Sequence, residues 1–147
     1  MRKTFLMALA LLSAACAQIP PSPQEIEAKK MEPVPGKAVV YIAQNPLGSY
    51  TYSAGLTFDD GTQITTGPGT FYRWVTTPGT HTINSTEGFL NASITLQVEA
   101  GKIYYVEHWV TGVFGAETDA RLWKIDDKTG RQMVTTSTLC VVSNPIQ

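Results

Sequence analysis

Residues 37–147 are predicted to fold as an all-β domain, an antiparallel β-sandwich of seven to nine short strands, with a small closed β-barrel as the alternative. Three observations point there. From Lys37 onward, short runs rich in Val, Ile, Thr, Tyr and Trp alternate with Gly, Pro, Asp and Asn, the texture of strands and turns. In NASITLQVEAG, Ala92, Ile94, Leu96 and Val98 fall on one face while Ser93, Thr95, Gln97 and Glu99 fall on the other, a period of two. Asp60-Gly61 and Pro78-Gly79 separate such runs, where glycine supplies a positive φ and proline presets a turn.

The chain opens differently. Arg2 and Lys3 precede the apolar run FLMALALL, and Ser13, Ala14 and Ala15 lead to Cys16. A basic start, an apolar run and small residues make a secretory signal peptide. Eight apolar residues fall far short of the roughly 20 that cross a bilayer. SAAC resembles the lipobox of bacterial lipoproteins, although Ser13 stands where an aliphatic residue is usual. That resemblance implies lipid on the Cys16 thiol and cleavage after residue 15. It also implies an outer-membrane address facing the periplasm, since Ala17, not Asp, follows the cysteine. Several acyl chains anchor stably where one does not. Two alternatives stay open: a plain secreted chain, and a Cys16–Cys140 disulfide, which needs an unlipidated thiol.

Residues 16–36 read as a tether. They hold Pro20, Pro21, Pro23, Pro33 and Pro35, five of the nine prolines, and proline stiffens a linker. Within it Ser22-Pro23-Gln24-Glu25 is a capping box with Pro at the first helical position. A short helix from Pro23 to about Lys30 follows, too short to persist unless it docks.

The strands are expected at 38–43, 51–58, 63–66, 70–76, 80–85, 92–99, 102–110, 120–126 and 132–142. AVVYIA is apolar throughout, as befits a central strand covered on both faces. YTYSAGLTF alternates through Tyr52, Ala54, Leu56 and Phe58. Residues 126–130, DDKTG, read as a further hairpin.

Composition excludes some functions. Losing residues 1–15 removes Arg2 and Lys3 from 11 basic residues, leaving nine against 12 acidic, a net charge of −3 over 132 residues. Nucleic-acid binding calls for a basic patch, and none is written here. No CxxC, HxH or HExxH marks a metal site, no GxSxG a nucleophile, and no glycine-rich loop a phosphate cofactor. Catalytic, metal and cofactor sites are therefore not expected. Cys140 lies in the apolar run LCVV and reads as a small buried hydrophobe. His81 reads as a half-exposed strand histidine bonded to a backbone carbonyl.

The candidate site residues lie on the strands. Glu107 shares a face with Ile103, Tyr105 and Trp109; His108 shares the opposite face with Tyr104, Val106 and Val110. One of the two must approach the core. Arg73 alternates with Phe71 and Val75, and an Arg73–Glu107 pair across the sheet would satisfy both. Tyr50, Tyr52, Tyr72, Trp74, Tyr104, Tyr105, Trp109 and Trp123 are many aromatics for one small domain. Any that face outward would mark a partner surface, with Trp74 and Trp109 the candidates.

Three motifs taken in order, GKAVVYIAQNPLG, GTFYRWVTTPGTHTI and the 93–98 strand leading into EAGKIYYV, resemble an uncharacterised family of small bacterial envelope lipoproteins. The match runs from Gly36 to Val110. It implies a transthyretin- or immunoglobulin-like sandwich and brings no catalytic residues. The function expected is a membrane-anchored, non-enzymatic binding or structural module whose partner is another envelope protein; a carrier of a small apolar ligand in a barrel cavity is the alternative.

Overall fold

A computed structural model describes residues 20–46, 53–86, 92–112 and 119–140. Among them lie two helices and nine strands: α1 (Pro23–Ala28), β1 (Ala38–Ala43), β2 (Ala54–Phe58), β3 (Gln63–Thr66), β4 (Thr70–Thr76), β5 (Gly79–Ser85), β6 (Ser93–Val98), β7 (Ile103–Thr111), β8 (Asp119–Ile125), α2 (Asp127–Thr136) and β9 (Thr138–Leu139). The strands make two sheets, ordered β8-β7-β1-β4-β9 and β3-β2-β5-β6. The domain is a β-sandwich. The sheets stay separate and their outer strands end unpaired within each sheet, so the closed barrel does not form. The four-stranded sheet is antiparallel throughout. The five-stranded sheet is mixed, with β1 beside β7 and β4 beside β9 running parallel.

β1 is the middle strand of the larger sheet and is buried at all six positions. Ala38, Val40 and Ile42 face the other sheet, clustering with its Leu56, Phe58, Ile83 and Val98 and with Trp74 and Val106 of their own sheet. Phe58 and Trp74 fill the middle of that space, ring centroids 4.7 Å apart. Val39, Tyr41 and Ala43 face outward and are buried by Ala28, Met31, Phe71, Tyr105 and Val134. The helices thus form a third layer over the sandwich.

The segment read as a tether is in good part docked. Ser22 caps α1 by accepting from the Glu25 amide (3.1 Å). The Tyr41 hydroxyl donates to the Ala28 carbonyl at 2.6 Å from within the core. Glu25 is buried, pairs with Lys29 at 2.7 Å and accepts from the Leu139 amide at 3.4 Å. The hydrogen bond from Lys29 holds its carboxyl below the usual range, against the effect of burial. Docking stabilises a six-residue helix that would fray alone.

Two sequence expectations fail at the carboxyl end. Residues 126–130 are the start of α2, and the strand expected at 132–142 is replaced by that helix followed by the two-residue β9. Asp126 is an N-cap: it accepts from the Thr129 amide (3.0 Å) and hydroxyl (2.6 Å). Gly130 and Val134, four apart, form the buried stripe. Burial of that stripe outweighs the β-preference of Val134, Thr135 and Thr136. Residues 141–142 of the expected strand, and 51–52 of β2, lie outside the described residues.

The Asp60-Gly61 turn also differs from the two-residue hairpin expected. Only Gly61 has a positive φ (86°), the Gly61 amide donates to the Phe58 carbonyl (3.0 Å), and the loop takes four residues. That is a type I turn closed by a left-handed glycine.

Gly130 sits against the Tyr105 ring so closely that a Cβ would overlap the Cβ, Cγ and Cδ1 atoms of Tyr105. Gly130→Ala is therefore expected to destabilise the fold by about 1–3 kcal/mol despite alanine's better helix propensity, read from urea denaturation. A neutral or stabilising result would mean that α2 does not pack on Tyr105.

Candidate functional site

Arg73 and Glu107 lie on strands that flank β1, on its outer face: Arg73 opposite Tyr41 and Glu107 opposite Ala43. β1 stands between them and they do not pair. Arg73 Nε donates to the Tyr41 hydroxyl at 3.3 Å. Glu107 is 9% exposed. Burial pushes its carboxyl above the usual range, partly offset by a hydrogen bond with Asn45. The expected cross-sheet ion pair is replaced by two separate neutral partnerships. Arg73 also lines an open groove of about 660 Å³ between α1 and the β4–β9 side of the sheet, with Ser22, Gln24 and Cys140. Burial raises the Cys140 thiol pKa, consistent with an unreactive side chain.

Trp74 is 3% exposed and belongs to the inner core. Its indole N–H donates to Asp60 at 2.8 Å, tying β4 to the β2–β3 turn. It is not a partner surface. Trp109 is placed otherwise. On the outer face of β7 and β8 the opposed pairs are Glu107 with Trp123, Trp109 with Arg121, and Thr111 with Asp119. The two indoles lie diagonally, centroids 6.3 Å apart and planes inclined by 38°. Trp123 is 37% exposed. Arg121 reaches along β8 to Asp119 (3.1 and 3.2 Å), so the two opposite charges neutralise each other beside the rings. The same residues, Asp119, Arg121 and Trp123, line an open recess of about 370 Å³ at the β8 edge.

Trp123 was legible only as one aromatic among many. Its signal is positional: in DARLWKI, Ala120 and Leu122 alternate inward, which puts an aromatic on the outward, polar register beside Arg121.

His108 resolves the other half of the Glu107–His108 question. It is fully buried between the sheets. Nδ1 lies 2.8 Å from Thr66 Oγ1, and Nε2 lies 3.1 Å from Ser85 Oγ. Thr66 donates onward to Gln44 Oε1 at 2.9 Å. With that hydroxyl proton committed, the consistent assignment has His108 Nδ1–H donating to Thr66 and Ser85 donating to Nε2. A serine beside an imidazole looks like a nucleophile and base. Yet Ser85 is 2% exposed, and the ring is oriented by a hydroxyl, not a carboxylate. The chain of bonds ties Gln44, just after β1, and the ends of β3 and β5 to the interior of β7.

At the opposite end His81 accompanies Asp59 (2.9 Å) and the Thr77 carbonyl (2.8 Å). The carbonyl was expected; Asp59 was not foreseen. Cys16 lies outside the described residues. Among the described residues no three His, Cys, Asp or Glu side chains group as metal ligands.

No family model, curated protein or solved structure matches the chain.

Burial lowers the His108 pKa from 6.5 to about 4. In that interval the unfolded chain binds a proton that the folded chain does not, so stability falls as pH falls from 6.5 to about 4. The full loss is at most about 3 kcal/mol. Urea midpoints measured across the window should drop in the parent chain and drop less in His108→Gln. Equal slopes would assign the loss to other groups.

Proposed function

We propose that this chain is a membrane-tethered, non-enzymatic binding module of the bacterial cell envelope, held at the periplasmic face of the outer membrane by lipid on Cys16. The observation that carries the binding role is the Trp109–Trp123 pair, open on the outer face of the larger sheet while the helices cover the neighbouring rows. Trp123 is exposed and Trp109 half-buried beside it, and tryptophan and arginine are both enriched where proteins meet partners. Among the described residues the sandwich core is filled by Phe58, Trp74, Leu56 and Ile83 and the sheets do not close into a barrel, so nothing there favours the apolar-ligand carrier.

Docking of α1 refines the tether. If Cys16 holds the lipid, only five residues lie between it and the Ser22 cap, six steps along the chain. Fully extended they reach about 20 Å. The module would then work close to the bilayer surface, and its partner would have to come within that reach.

Two measurements test this reading. Cys16→Ser should move the protein from the membrane to the soluble fraction, and the mass of the native amino terminus should show an acylated cysteine. A native chain found soluble and starting beyond residue 16 would overturn the anchor. Trp123→Ala should reduce in-cell crosslinking of the anchored protein to its partners by about tenfold, with its urea midpoint little changed. Undiminished crosslinking would overturn the docking face.

A further inference from the structure

β9 covers only the start of the β4 edge. It pairs with β4 in parallel at Thr70 and Phe71, while β4 runs on to Thr76. The Thr138 amide donates to the Gly69 carbonyl at 2.9 Å, and the Cys140 amide to the Phe71 carbonyl at 2.7 Å. The period of two aims the carbonyls of Arg73 and Val75 at the same edge. Among the described residues no strand lies beside 72–76 on that side.

An open strand edge invites pairing with another chain, and proteins protect it with proline, lysine, a bulge or a cover. TFYRWVT holds no proline or lysine, and its pairing with β1 runs without a bulge. Val75, on this stretch, is 39% exposed. A cover is what remains, and the chain supplies one at the right place. Cys140 lines the groove of about 660 Å³ with Leu139, Ala28, Gln24, Tyr72 and Arg73, and residues 141–147, VVSNPIQ, follow it. Continued in the register of β9, Val141 falls opposite Arg73, Val142 opposite Trp74, Ser143 opposite Val75 and Asn144 opposite Thr76. The side chains suit that register. Leu139 and its partner Phe71 both join the outer core, so alternation puts Val141 on the outer face, in the groove with Ala28, and Val142 on the inner face beside Trp74. Pro145, which lacks a donor, is the first residue to pass the end of β4. A segment already held at Cys140 also pairs without the translational and rotational cost that a second molecule bears.

We infer that residues 141–144 extend β9 along the β4 edge, with Val141 seated in the groove under α1, so that the domain closes this edge with its own chain. The edge is thereby withdrawn from strand addition by other proteins. Because Glu25 of α1 accepts from the Leu139 amide, a longer β9 also secures the helix that leads back to Cys16. The inference stands apart from the lipid anchor and from the tryptophan pair.

Amide exchange, followed by NMR on the full chain in detergent, is the test. The Val142 and Asn144 amides, aimed at the Arg73 and Val75 carbonyls, should exchange at least about a hundredfold more slowly than in an unstructured peptide of the same sequence. Those of Val141 and Ser143, aimed away from the edge, should not be slowed. The pattern should hold at every protein concentration. Val142→Pro removes a paired donor and should abolish the protection of Asn144, whereas Ser143→Pro removes an unpaired one and should leave Val142 protected. Four unprotected amides, or four equally protected ones, overturn the inference. Protection that disappears on dilution also overturns it, because it assigns the added strand to a second copy of the chain.

Discussion

The burial of β1 on both sides is the constraint on which the rest of the molecule depends. Six consecutive buried positions, alternating between two cores, make this strand the seam of a three-layer structure. Val39, Val40 and Ile42 each contribute about 1.5–3 kcal/mol when fully removed from water. A two-layer sandwich would have left Val39, Tyr41 and Ala43 facing solvent. The chain instead brings a helix from each end onto that face. Tyr41 is the joint: its ring stacks on Tyr105 at 5.5 Å, its hydroxyl donates to Ala28, and Arg73 donates to it in turn. The helical layer follows from the apolar run AVVYIA, and the segment read as a tether becomes part of the domain because that face needs covering.

The sheets were largely legible, and the reason is physical. Strand positions 63–66 and 70–76 are set by local alternation, 38–43 by an unbroken run of strand-forming apolar residues, and all three by glycine or proline near their ends, which need no tertiary knowledge. The covering of both faces of β1 could be read from its unbroken apolar run. α2 could not be read as easily. VTTSTLCVV is rich in β-branched residues, and the helix exists because Gly130 and Val134 find Tyr105 and the outer core. That contact is between residues far apart in sequence, so local propensity pointed the wrong way. Asp126 followed by Thr129 is a helix cap as readily as a turn, and only the packing decides between them.

The site was legible in its faces but not in its pairings. Alternation correctly put Glu107 and His108 on opposite sides of β7. It could not say that β1, parallel to β7, would separate Glu107 from Arg73. Strand order is a global property, and an ion pair inferred from two faces needs adjacency as well. Trp74 failed for a related reason: it alternates with Arg73, so one of the two had to be inside, and the indole, with Asp60 to take its N–H, was the cheaper group to bury.

Element lengths explain why the tryptophan pair is left open. β7 has nine residues, about 30 Å of strand, while α2 has ten, about 15 Å of helix. α2 leaves the end of β8 at Ile125 and folds back over Tyr105. Running along the strands, it could shield about half of β7. The remaining half, Glu107 to Thr111 with its β8 partners, is therefore the part of the outer face that no described helix reaches. If that region served only to stabilise the sheet, a third amphipathic segment or a polar strand surface would suffice there. Two tryptophans beside a self-neutralised Arg121–Asp119 pair do neither. Trp123 keeps apolar area in water at a cost that a ligand can recover, which is the physical argument for proposing that the half of the sheet beyond the described helices carries the binding role.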